Sequence, residues 1–472
     1  MKVLLSEHSR FDIYLQEADT DPTVDYFAAD VFGAVATANR RYYKQNVYPY
    51  VLQHNKSENR YELKADYYIG LDWLVIGKKY VQVEPKVNAK LLEIYHQSLI
   101  TDKELSDEEQ AKKDKENKVA IKKEEACDSK KVNYIKMLLD VYASNIPTEK
   151  IGLLTQIYWE EKPIKIEQKD DYLTPFLVAQ FLSLLKTIVK KGLKKSYYKV
   201  QENLNNRVKG KILVGQHIKQ NVFKNRLTNT FCEYEVFGEN SDENQYLKKV
   251  FQFCTSFVHH HRDFFKDSAI ESIINYCRPA FEQIESIVNE RQLRNFKYNP
   301  FFKEYKEAIT IGRYILKQFG YNISSTTGSE IETAPFWIDM PRLFELYVYQ
   351  KLLKDNPNDT EKIKYQFGTY GNHLDFLIKN GENSMIVDTK YKLKYRQSAI
   401  HADIRQVSGY ARLNRIRTEL KITDDQNINC LIIYPLLVNG IDDYSLEAIK
   451  TNKSEIPAYH KVYKLGVELP LL

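Results

Sequence analysis

Residues 371–392 read GNHLDFLIKNGENSMIVDTKYK, and their types and spacing suit the cleavage of a phosphodiester. Leu374, Phe376 and Ile378 alternate with Asp375, so in a strand the apolar three face a core and the carboxylate leaves from the opposite face. In the next strand-like run Asp388 and Lys390 share a face, about 7 Å apart at a rise of ~3.3 Å per residue. The turn Asn380-Gly381-Glu382-Asn383 allows a hairpin that brings both acids to one sheet edge. Two converging carboxylates repel unless a hard divalent cation takes their oxygens, which points to Mg2+, with Mn2+ as its substitute. A positioned acid or base supplies about 10²- to 10⁴-fold, far short of the roughly 8–23 kcal/mol that enzymes provide. Metal-assisted hydrolysis is therefore expected, with Lys390 orienting water or neutralising charge in the transition state.

Two further positions bear on this segment. Glu345 stands in LFELYV among Leu343, Phe344, Leu346, Tyr347 and Val348, an unusual place for a carboxylate unless it faces a polar site. In DIRQVSGYAR, Gln406 and Tyr410 lie at i and i+4 on one helical face and can lean over the sheet edge. Taken singly, Glu345 reads equally well as a solvent-facing residue, and the Gln406–Tyr410 pair reads more often as ordinary surface.

The elements that must hold these residues follow from pattern. Residues 341–355 predict a helix opened by Pro341. Strands are expected at 362–368, 372–379 and 383–391, then a helix over about 400–420 and the buried-type strand CLIIYPLLV from Cys430. That order implies a C-terminal α/β domain, 331–472, with a mixed sheet flanked by helices. Upstream, residues 1–100 read as a β-rich domain, with a turn near Gly77 in YELKADYYIGLDWLVIGKKYVQVEPKV. Residues 101–131 are mixed in charge and poor in large apolar groups, a solvated linker or exposed helix. Residues 132–330 read as mainly helical and as the region that meets a partner or DNA. The fold class is thus α+β and multidomain. Within the helical region, Arg207, Lys209, Lys211 and Lys219 are interleaved with Tyr197, Tyr198 and Phe223, equally a phosphate track and a solvated basic face. His259, His260 and His261 are adjacent, so on a helix they cannot all face one metal.

Composition sets the outer bounds. A chain of 472 residues with 43% hydrophobic and 28% charged residues reads as soluble, with two to four domains. The net charge of +6 restricts nucleic-acid binding to local patches. Cys127, Cys232, Cys254, Cys277 and Cys430 form no CxxC pair, which excludes a zinc ribbon or disulfide framework and suits a reducing cytoplasm. No signal peptide and no 18-residue apolar run are apparent, so neither secretion nor a membrane span is expected. No GxxxxGK[ST] occurs, GKILVGQ and IGKKY lacking its spacing or hydroxyl, so nucleotide hydrolysis must come from another chain.

The acid on one strand, the D-x-K on the next, the Glu-bearing helix upstream and the QxxxY helix downstream resemble the PD-(D/E)XK nuclease superfamily, in its RecB-like branch. Leu374 stands where that superfamily often has proline. PRLFELYVYQKLL, IVDTKYK and DIRQVSGYA more closely resemble the McrC family, nuclease subunits of McrBC-type restriction systems, with VKGKI at 208–212 and ENQYLKKV at 243–250 as weaker matches in the same order. The resemblance implies that Asp375, Asp388 and Lys390 are catalytic and that Glu345, Gln406 and Tyr410 support them, with Asp375, Asp388 and Glu345 as the metal-binding acids. It also implies double-stranded DNA as substrate and a McrB-like AAA+ GTPase hexamer as a partner whose hydrolysis this chain stimulates. Two other readings stay open: a non-catalytic activator of an AAA+ motor, and a stand-alone nuclease.

Overall fold

The computed structural model describes residues 2–7, 10–16, 27–28, 48–55, 60–88, 129–143, 146, 151, 154–167, 171–265, 270–286, 303–324, 330–369, 371–392, 397–422, 426–437, 440–457 and 459–471. The expected charged linker at 101–131 lies outside them except for its last three residues. The chain forms two compact units, Met1–Leu173 with Glu332–Leu472, and Thr174–Ile331.

The first unit opens with β1 (Lys2–Ser6), β2 (Arg10–Gln16), β3 (Tyr50–Asn55), β4 (Arg60–Ala65), β5 (Tyr68–Val75) and β6 (Lys79–Glu84), followed by α1 (Tyr134–Ala143) and β7 (Thr155–Ile157). β5 and β6 make a hairpin whose turn holds Gly77 at φ +77°, a conformation that glycine enters without a Cβ penalty. β1 adds to β6 in parallel, while β2, β4 and β3 pair antiparallel in a second sheet. Burial alternates along β1, β3 and β4 but is continuous through β5 and the end of β6, and the two sheets share one core, in which Val3, Leu5, Leu52, Leu63, Val81 and Val83 pack with Trp337.

The second unit contains α2 (Leu173–Lys191), β8 (Ser196–Asn205), β9 (Lys211–Ile212), β10 (Asn229–Gly238), α3 (Asp242–His260), α4 (Ile270–Cys277) and α5 (Lys303–Ser324). Within 132–330, read from the sequence as mainly helical, the structure also holds a three-stranded antiparallel sheet formed by β8, β10 and β9. Both faces of this ribbon meet solvent and, of its strand residues, only Leu204 and Cys232 are buried, so no apolar alternation marked it in the sequence. Gly312 lets α5 lie close on α3, since a Cβ there would come within 2.8 Å of Val250. By length and composition alone α2 could cross a membrane, although polar residues interrupt its apolar run, and most of it is buried in the protein, as in a core helix.

The chain then returns to the first unit through β11 (Phe336–Asp339), which inserts between β5 and β7. After it come α6 (Met340–Asp355), β12 (Ile363–Thr369), β13 (Asn372–Ile378), β14 (Met385–Thr389), α7 (Gln397–Tyr410), α8 (Asn414–Glu419), β15 (Asn429–Leu436), α9 (Leu446–Asn452), β16 (Ser454–Glu455) and β17 (Val462–Glu468). The expected helix over 400–420 is two helices, broken where Leu413 turns extended. The sheet order is β12-β13-β14-β15-β17-β16, antiparallel at both margins and parallel across β14, β15 and β17, a mixed sheet. α7 covers one face through Ile404 and Val407 on Leu377, Ile386, Cys430 and Ile432. On α6, Tyr349 stacks against Tyr365 and Phe376 at 4.7 and 5.7 Å. Asp339 caps α6, accepting the Arg342 N–H at 3.0 Å, with Pro341 in the first turn.

Candidate active site

The β13–β14 ladder ends at Phe376↔Val387, whereas β14 stays paired with β15 as far as Thr389↔Ile433. One step past the last β13–β14 pair, the two strands present Asp375 and Asp388. A side chain takes over where the backbone pairing stops: Asp375 Oδ2 accepts the Thr389 N–H and the Thr389 hydroxyl, each at 2.6 Å. Two hydrogen bonds to one oxygen fix the carboxylate and satisfy a strand-end donor.

Lys390, just beyond β14, is tied to β15 by its N–H to the Ile433 carbonyl at 2.9 Å. Its ammonium meets Asp388 Oδ2 at 2.6 Å and donates to Gln406 Oε1 at 2.9 Å. Gln406 in turn donates to the Tyr410 hydroxyl at 2.6 Å, so the i, i+4 pair on α7 forms a relay that ends on the lysine. Glu345, on α6, accepts from Gln366 Nε2 at 3.2 Å.

The electrostatics follow from packing. Burial, and then the Glu345 charge, push Asp375 up to about 7 against the pull of Thr389 and Lys390. Burial, and then the Asp375 charge, push Asp388 up to about 7. Glu345 is also raised, chiefly by burial. For Lys390 burial opposes the charge, but Asp388 and Asp375 outweigh it and the group stays above its ordinary value, so it is an ammonium at neutral pH. This lysine is a cation and a hydrogen-bond donor, not a base.

The six sequence-derived residues therefore form one linked set: Asp375, Asp388, Lys390, Gln406 and Tyr410 through contacts or immediate register, and Glu345 through its charge. Among the described residues no three His, Cys, Asp or Glu side chains converge closely enough to hold an ion together. The donors present are oxygens, and a cation such as Mg2+, which keeps several waters, needs only one or two carboxylates. Sequence reasoning missed Thr389, which alternation assigns to the far face, and the pair of Lys392 with buried Asp403 at 2.6 Å, which joins the strand exit to α7. The basic residues of 190–224 belong to the second unit, on α2, the ribbon and the helical segment that joins its strands; on the ribbon Lys209 sits 4.0 Å over the Tyr234 ring. His260 and His261 each bond a carbonyl one helical turn back, those of Ser256 and Phe257.

Residues 153–435, well over half of the chain, match the profile of the McrBC 5-methylcytosine restriction system component family. The chain belongs to that family. Among solved structures it is similar to a chain in the half-complex of Thermococcus gammatolerans McrB AAA+ hexamers with bound McrC, at 13% identity and a TM-score of 0.39, covering 99% of this chain and 94% of that one. A chain of the Thermococcus gammatolerans McrBC complex is similar at 13% identity and a TM-score of 0.27, covering 75% of this chain and 88% of that one. A search of curated proteins gives no match.

Proposed function

We propose that this restriction-system component is its DNA-cleaving subunit, an endonuclease of the PD-(D/E)XK type that depends on a divalent metal and on a nucleotide-hydrolysing AAA+ partner. The observation that carries the reading is the meeting of Asp375, Asp388 and Lys390 where the β13–β14 ladder ends, with both acids raised to about 7. Asp375 and Asp388 would hold Mg2+, with the Glu345 charge behind Asp375. When bound, the metal neutralises the paired acids and supplies Lewis-acid assistance and a nucleophilic hydroxide at neutral pH. Thr389 fixes the plane of the Asp375 carboxylate. Lys390 spends two of its three N–H donors on Asp388 and Gln406, which leaves one for a phosphate oxygen or the attacking water. The family's description as a 5-methylcytosine restriction system component supports action on modified DNA; that this chain also stimulates its partner's GTP hydrolysis is part of the proposal and follows from the resemblance of its motifs.

The test is cleavage of methylated plasmid by the chain mixed with its nucleotide-hydrolysing partner, Mg2+ and GTP. Asp388→Ala and Lys390→Ala are expected to lower cutting by about 10²-fold or more, the scale of a lost electrostatic contact in a transition state. Cutting by Asp388→Ala at the parental rate would move the chemistry to another chain and favour the activator reading.

A further inference from the structure

The outward face of α7 is unlike the rest of this helix. Ala402, Arg405, Gln406 and Gly409 recur at three- and four-residue spacing and are all exposed, and Arg412 follows just past the last turn, also exposed. Gln406 on this face is the residue that touches Lys390. Among the described residues, neither Arg405 nor Arg412 has an ion pair or side-chain hydrogen bond, in contrast to Arg415, which donates to the Gly368 carbonyl and lies 4.8 Å from the Phe367 ring centroid. The acid of this stretch, Asp403, is buried and engaged by Lys392, so no carboxylate on 401–412 opposes the two guanidiniums.

Gly409 is the second observation. Glycine is the poorest helix former after proline, and here no backbone need explains it, since its φ is not positive and an added Cβ would meet nothing within 4 Å. A bare helix turn between two unpaired guanidiniums leaves room for another chain's backbone to approach closely. Seven residues separate Arg405 from Arg412, which sits in the turn that continues α7 through its N–H to the Gly409 carbonyl, so the two stand on the order of 10 Å apart, and duplex DNA rises ~3.4 Å along its axis per phosphate of one strand. The face can therefore follow a few consecutive phosphates of one strand.

We infer that Arg405, Gly409 and Arg412 form the track along which the cleaved DNA strand lies as it enters the Asp375–Asp388 centre. The inference rests on the nuclease reading and deepens it. Arg405 and Arg412 neutralise phosphates flanking the scissile one, and Gly409 sets how close the strand can come.

The experiment measures fluorescence anisotropy of a labelled DNA duplex against salt, using the complex assembled with the Asp388→Ala chain. Loss of two phosphate contacts in Arg405→Ala/Arg412→Ala should lower the slope of log affinity against log salt by about 2. Lys354→Ala/Lys450→Ala removes the same charge from exposed positions elsewhere and should leave the slope unchanged. Gly409→Leu should melt at the parental temperature or higher, because the space is open and the helix gains a better former, and yet weaken DNA binding by 10-fold or more. An unchanged slope in the arginine variant, an equal drop in the lysine control, or full binding by Gly409→Leu overturns the track. Absence of DNA binding by the parental Asp388→Ala complex overturns the nuclease reading itself and the track with it.

Discussion

At the scale of single residues, the two acids make a pH prediction whose sign can be worked out. Asp375 and Asp388 stand at about 7 in the folded chain, raised first by burial, against about 3.9 in an unfolded one. Between those values the folded state binds more protons than the unfolded state, so the unfolding free energy falls as pH rises from about 4 to 7. Each unit is worth roughly 1.4 kcal/mol. Without metal the protein should melt lower at pH 8 than at pH 6, and Mg2+ should raise the melting temperature more at pH 8, where the cation need not displace protons. Glu7, also raised by burial, adds to the same slope, so the acids are isolated by comparison with Asp375→Asn/Asp388→Asn, which should flatten the profile and abolish the Mg2+ shift. Equal slopes in both proteins would mean that the pair is not held protonated. These two acids and Lys390 were legible because strand alternation is local. Thr389 was not, since its hydrogen bonds to Asp375 exist only where the ladder stops, a fact of three-strand geometry.

At the scale of elements, the strand that carries Asp388 is held from a direction that sequence order conceals. Tyr391, next to Lys390, is 4% exposed, and its hydroxyl lies 3.4 Å from Glu7 Oε1, just past β1 at the far end of the chain. Its ring packs edge-on against Tyr67 at 6.2 Å and lies tilted by 49° on Phe344 of α6 at 5.7 Å. The N-terminal strands therefore buttress the strand exit that carries Lys390. Removing the ring by Tyr391→Ala should cost about 3–5 kcal/mol, the range for a large buried aromatic, and should weaken Mg2+ binding. Tyr391→Phe keeps the packing, gives up one long hydrogen bond and should cost about 1 kcal/mol. Urea unfolding separates the two, and similar losses from both would place the stabilisation in the hydrogen bond instead of the ring. Hairpins β5–β6 and β13–β14 were readable from turn residues and alternation, and α6 from Pro341. The insertion of β11 between β5 and β7 was not, because a strand's partner 265 residues or more away leaves no periodic trace.

At the scale of the whole molecule, one unit holds the acid centre while the other displays the ribbon β8–β10, and the two carry different surface chemistry. Around the ribbon Phe223 is 79% exposed, Leu227 78%, Tyr197 72% and Val208 60%, more large apolar surface than an isolated chain gains by showing to water. The loop bearing Phe223 is not loosely held, for Asn221 is fully buried and exchanges hydrogen bonds of 2.8 and 2.9 Å with Asn203 of β8. A rigid support under exposed apolar groups is what an anchor for another protein requires, because little side-chain and loop freedom is left to lose on binding. Within the proposed function that protein is the AAA+ partner, and Phe223→Ser/Leu227→Ser should reduce stimulation of its GTP hydrolysis by roughly 10-fold or more, the scale of lost apolar anchors at an interface. The melting temperature should not fall, since both side chains already face water, and metal binding at Asp375 and Asp388 in the other unit should persist. Undiminished stimulation by the double variant would place the docking surface elsewhere in the chain. A joint loss of stimulation and of metal binding would show instead that the substitutions damage the fold, and Phe223→Leu, which keeps an apolar group at the tip, would then decide between an anchor and a structural residue.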